Sequence, residues 1–101
     1  MTRKQLQKLI LDTATICDEV HTGGCRPFYS PQEWKEHGEE YGTDAVLIVV
    51  YDGGDLRYFF NPSAEWGASK LCDKMRKALA KHGYYYEQCT GWYSAIYKKD
   101  N

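Results

Sequence analysis

The thiols and imidazoles are the first places to look for chemistry. Cys17, His21 and Cys25 recur at four-residue intervals, and His82 and Cys89 are further ligand types later in the chain. A structural zinc site usually draws on paired thiolates such as C-x2-C, because one tight loop must aim both sulfurs at the ion. The four cysteines, at 17, 25, 72 and 89, contain no such pair. Cys17 and Cys72 also fall on apolar helical stripes, where cysteine behaves as a small hydrophobe. No metal and no other cofactor is expected. For nucleophilic catalysis, Cys25 is the one cysteine in an expected loop and His21 is its nearest base. A small enzyme using this pair is the third reading, because no strained elbow or oxyanion donor accompanies it.

Other catalytic patterns have structural explanations. Glu39-Glu40 sits at an expected helix end, and Asp52 with Asp55 flanks a turn, where Asp serves the turn geometry. Gly23-Gly24 lacks the lysine of a phosphate-binding loop, and Gly53-Gly54 has Asp on both sides, which repels phosphate. The chain is expected not to be an enzyme.

Binding chemistry is better represented. Lys70, Lys74, Lys77 and Lys81 fall within about 60° of arc on a helix, opposite its apolar stripe. Aromatic residues make up 15% of the chain, including nine tyrosines and three tryptophans. Such side chains suit binding surfaces because they offer stiff area with a polar handle. Tyr84, Tyr86 and Trp92, from a C-terminal hairpin, join the four lysines as the candidate partner-binding residues. Charge is divided along the chain: residues 30–66 hold eight acidic side chains against two basic, and residues 67–99 hold seven basic against two acidic.

The elements that must position these residues follow from periodicity and punctuation. Leu6, Leu9, Ile10, Thr13, Cys17 and Val20 recur at helical spacing, which predicts a helix from about Arg3 to Val20 with a Thr2–Gln5 capping box. Ser30, Pro31 and Glu33 signal the start of a short second helix anchored by Trp34 and stopped near Gly38. Ala45–Tyr51 is continuously apolar and β-branched, as a strand covered on both faces would be. Asp52-Gly53-Gly54-Asp55 then predicts a hairpin turn, with Leu56–Phe60 returning as a strand. A third helix runs from about Ser63 or Ala68 to His82. Tyr84–Cys89 and Trp92–Lys98 form a second hairpin about Thr90-Gly91.

The expected fold is therefore a single α+β domain over residues 1–101, in the order α-α-β-β-α-β-β. Its four-stranded, mainly antiparallel sheet comprises two hairpins with helices packed on it. With 101 residues, 43% hydrophobic and 27% charged, the composition is globular rather than disordered. No 18-residue apolar run and no signal-peptide pattern occur, so a cytoplasmic location without membrane contact is expected.

The function this profile favours is a non-catalytic protein-interaction domain. Small inhibitors that phage and mobile elements direct against bacterial defence complexes, such as CRISPR assemblies, share its size and lack of motifs. The expected partner is a protein or nucleoprotein complex, and a homodimer through the hairpin is equally admissible. The alternative is a single-stranded nucleic-acid-binding domain, with exposed aromatics stacking on bases and the lysine row holding phosphates. The near-neutral net charge of −1 weighs against that alternative.

Overall fold

A computed structural model describes residues 1–14, 24, 26–39, 41–64 and 67–99. The elements run α1 (Arg3–Ala14), β1 (Phe28–Tyr29), α2 (Pro31–Glu36), β2 (Leu47–Val50), α3 (Arg57–Phe60), α4 (Ala68–Ala80), β3 (Tyr84–Gln88) and β4 (Tyr93–Lys98). The strands form one open antiparallel sheet in the order β1-β2-β4-β3, so the class is α+β.

The strongest local signals produce the expected structure. Ser30 Oγ accepts from the Glu33 amide, and Glu33 Oε1 accepts from the Ser30 amide, closing the capping box of α2 with Pro31 in its first turn. At α1 the same reciprocal pair forms between Thr2 and Gln5. Arg3 lies at the unfavourable end of the α1 dipole, but its Nε donates to the Val46 carbonyl at 3.0 Å and ties the helix to the sheet. The expected continuation of this helix to Val20, like the Cys17, His21 and Cys25 constellation, lies outside the described residues.

One strand of the sheet comes from a different segment than expected. Leu56–Phe60 does not return as a β-strand; it lies in a turn and the short helix α3, carried by successive bonds from Arg57 N to Gly54 O, Tyr58 N to Asp55 O and Phe59 N to Leu56 O. Leu56, Phe59 and Phe60 are all buried, and their i, i+3, i+4 spacing is helical. Their aromatic and apolar character imitates a strand, but helical spacing is what puts all three on one face. The remaining strand is Phe28–Tyr29, in a segment that reads as loop. It pairs with Val49 and Ile48, and the Val50 amide reaches Pro27 O at 2.8 Å.

The sheet has a cover on each face. Leu47, Val49 and Ile96 pack with α1, α3 and α4 through Leu6, Ile10, Phe59, Phe60, Met75 and Leu79. Ile48, Val50, Tyr93 and Ala95 pack beneath Trp34 of α2 and Ala45. Gly42 and Ala45, ahead of β2, lie close over this second face. Gly42, at φ +78°, comes so near that an added Cβ would sit 3.0 Å from both Ala95 Cβ and Ile48 Cδ1.

Candidate partner-binding site

The lysine row is built by α4. Ala68, Cys72, Met75 and Leu79 are buried on its inner side, and the helical repeat therefore turns Lys70, Lys74, Lys77 and Lys81 outward, where all four are exposed. Because α1 packs beside α4, Arg3, Lys4 and Lys8 join the same layer. Together with Arg76, these two helices and the α4 cap present eight exposed basic side chains. Only Asp12 and Asp73 are acidic among the exposed residues of the pair, and they bind Lys8 at 2.7 Å and Arg76 at 3.0 Å.

Of the expected aromatic members, Tyr84 and Tyr86 meet the lysine row only at Lys77, in a groove beside Arg76, and Trp92 lies elsewhere. Tyr84 and Tyr86 face inward under α4, with relative exposures of 5% and 9%. The Tyr86 ring stands edge-on to Phe60 at 4.8 Å, and the Arg76 guanidinium lies 5.1 Å from its centroid. Burial pushes the Tyr86 hydroxyl above its ordinary pKa, and the neighbouring Cys72 thiol pushes it the same way. Trp92 is on the opposite face of the sheet. It packs against Trp34 at 5.8 Å and Tyr93 at 4.7 Å while keeping 36% of its surface exposed. The structure therefore brings Lys77, Tyr84 and Tyr86 to one groove, leaves Lys70, Lys74 and Lys81 on the outer helix surface, and puts Trp92 on the far face.

The one exposed tyrosine among the described hairpin residues is Tyr85, between the two buried ones in β3. Tyr85 stacks on Tyr97 with centroids 5.4 Å apart, in a depression lined by Asp44, Glu87 and Lys98. Tyr97 donates to Asp44 at 3.3 Å; burial first, and the Asp44 carboxylate second, raises its pKa to about 12. This face also carries exposed Glu36 alongside exposed Lys35 and Arg26, so its charge is mixed where the helix layer is basic.

A second feature escaped the sequence: a groove at the free edge of β3. Arg76, Lys77 and Ala80 of α4, Tyr84, Tyr85 and Tyr86 of β3, and Lys99 line it. Tyr84–Tyr86 alternation marks two strand faces, but the edge position depends on long-range pairing that no local pattern reveals.

The described thiols are poor nucleophiles. Cys72 is fully buried and Cys89 partly so; burial raises both pKa values, and Glu87 adds to the effect at Cys89. Among the described residues, no three His, Cys, Asp or Glu side chains are grouped to hold a metal ion, and no helix is long and apolar enough to cross a membrane. No protein-family model, curated protein or solved structure matches the chain.

Proposed function

We propose that this chain is a non-catalytic protein-interaction domain that docks through the basic α1–α4 surface onto an acidic surface of a larger partner. The observation that carries this reading is the concentration of charge on one side of the sheet: eight exposed cations against Asp12 and Asp73 on the helix layer, whereas the other face mixes Glu36, Asp44 and Glu87 with Arg26 and Lys35. Such a distribution orients an approaching partner and speeds encounter. Stacking on single-stranded bases would need aromatics beside the lysines. Here Tyr84 and Tyr86 are buried beneath the helix, and the exposed Tyr85, which borders Arg76, Lys77 and Lys99 on one side, is already stacked on Tyr97 beside Asp44 and Glu87 on the other. Protein docking is therefore the better use of this surface. A stoichiometric inhibitor of a bacterial defence complex is one protein of this class.

The test is a tagged pull-down from native lysate after nuclease treatment, with wild type and the Lys70→Glu/Lys74→Glu/Lys81→Glu variant side by side. A specific protein retained by wild type and lost by the folded variant supports the reading. Retention unchanged by the triple reversal overturns it. Recovery that disappears with nuclease points to nucleic acid instead.

A further inference from the structure

We infer that the free edge of β3 accepts an extended acidic segment of the partner protein as a fifth strand, which specifies the docking mode within the interaction-domain reading. The inference begins with the hydrogen-bond phase of the hairpin. Lys99 N bonds to Gly83 O at 2.8 Å, and Cys89 N bonds to Tyr93 O at 3.1 Å. With Tyr85 opposite Tyr97 and Glu87 opposite Ala95, the alternation of an antiparallel ladder assigns the odd-numbered residues of β3 to β4. Tyr84, Tyr86 and Gln88 therefore direct their backbone N–H and C=O groups away from the sheet. Sheet order leaves that side without another strand. No hydrogen bond joins those backbone groups to another described residue.

The surroundings select the occupant. The groove along this edge combines apolar surface from Ala80 and the tyrosine rings with Arg76, Lys77 and Lys99. No salt bridge joins Lys77 or Lys99 to another described residue. A strand added here gains main-chain bonds for affinity, and its alternate side chains supply selectivity. Carboxylates on that strand meet the three cations. A second copy of this chain would instead bring the same cations against their own kind. Lysines beside an open edge guard against self-pairing, while leaving an acidic strand acceptable.

A defined probe tests the inference: an eight-residue peptide alternating glutamate and valine, capped at both ends. Its controls are the lysine–valine counterpart and a version N-methylated at alternate residues along one edge. Titrated into the full chain, the acidic peptide should slow amide hydrogen exchange at Tyr84, Tyr86 and Gln88. N-methylation should abolish binding, and Lys77→Glu/Lys99→Glu should weaken it about tenfold or more. Absence of binding overturns the inference, as does binding indifferent to N-methylation. Equal binding of the lysine peptide also overturns it. Concentration-dependent protection of the same amides without peptide would make the occupant a second copy. Displacement of the peptide by oligothymidylate that survives the double reversal would place nucleic acid there by contacts other than these lysines, and would also overturn it. Because Lys70, Lys74 and Lys81 lie outside the groove, the pull-down test is separate. Peptide failure with partner loss in the triple variant removes only strand addition; failure of both removes the interaction-domain reading too.

Discussion

The two faces of the sheet are closed in different ways. The helix face is a broad core in which α1, α3 and α4 each insert several apolar side chains, so burial is shared. The other face is covered by the single six-residue helix α2 and, ahead of β2, by Gly42 and Ala45. Trp34 is its hub, with ring contacts to Tyr29 at 5.0 Å and Tyr93 at 4.9 Å as well as to His37 and Trp92. A shared core and a single-anchor cover can lose similar energy from one truncation yet fail on different scales. The first unfolds as a unit, and the second can detach locally.

Two truncations test that contrast most strongly. Phe60→Ala and Trp34→Ala each remove a buried aromatic and should each cost about 3–5 kcal/mol. Phe60→Ala should lower protection throughout the sheet and α4. Trp34→Ala should release α2 and residues 41–45 while β2, β3 and β4 retain relative protection in amide exchange. Uniform loss in both variants would show that the two covers are one cooperative unit. Gly42→Ala attacks the second face from its loop. The left-handed backbone costs about 1–2 kcal/mol for an L-residue, and the 3.0 Å approaches to Ala95 and Ile48 add overpacking of about 1–3 kcal/mol. Chemical denaturation should therefore give a loss of about 2–5 kcal/mol. A loss below 1 kcal/mol would mean that this loop does not grip the sheet.

These differences also explain what was legible in the sequence. The start of α2 could be read because Ser30, Pro31 and Glu33 act within one turn, and β2 could be read because its run is long and β-branched. The segment after Tyr51 misleads because Leu56, Phe59 and Phe60 are at once good strand residues and helically spaced, and tertiary packing decides between those properties. A two-residue strand such as Phe28–Tyr29 has no periodicity to detect. In the hairpin, parity separates Tyr84 and Tyr86 from Tyr85, but which parity is buried depends on the position of α4. The lysine row was legible as one helix face; its continuation onto α1 required the packing of two distant segments.

A smaller effect is expected on the helix-covered side. Tyr51 stacks on Phe60, and its hydroxyl lies 2.9 Å from Ser94 Oγ, the one buried polar side chain among the described residues. Burial raises the Tyr51 pKa to about 12, so the phenol stays protonated. Tyr51→Phe keeps the ring but strands the Ser94 hydroxyl, for a loss of about 1–2 kcal/mol. Adding Ser94→Ala should restore part of that stability, because neither partner is then left unpaired. A double variant less stable than Tyr51→Phe would show that Ser94 has another dominant role.

The smallest effect distinguishes the faces by pH. The capping box of α1 uses neutral Gln5, whereas that of α2 uses Glu33. The Ser30 amide and then Arg26, at 2.6 Å, hold the Glu33 carboxyl near pKa 2 rather than its ordinary 4.5. A carboxyl depressed on folding stabilises the native state fully above its unfolded value, and this contribution fades as pH falls toward the folded value. Acidification from about 4.5 to about 2 should therefore loosen the cap of α2, while the Gln5 cap of α1 has no carboxyl to protonate. Glu33→Gln keeps an oxygen for the Ser30 amide but loses the charge facing Arg26. Its stability deficit should be present at neutral pH and shrink across that acid window, read from paired urea denaturation curves. A deficit that stays constant with pH would mean that carboxylate geometry, rather than charge, secures this cover.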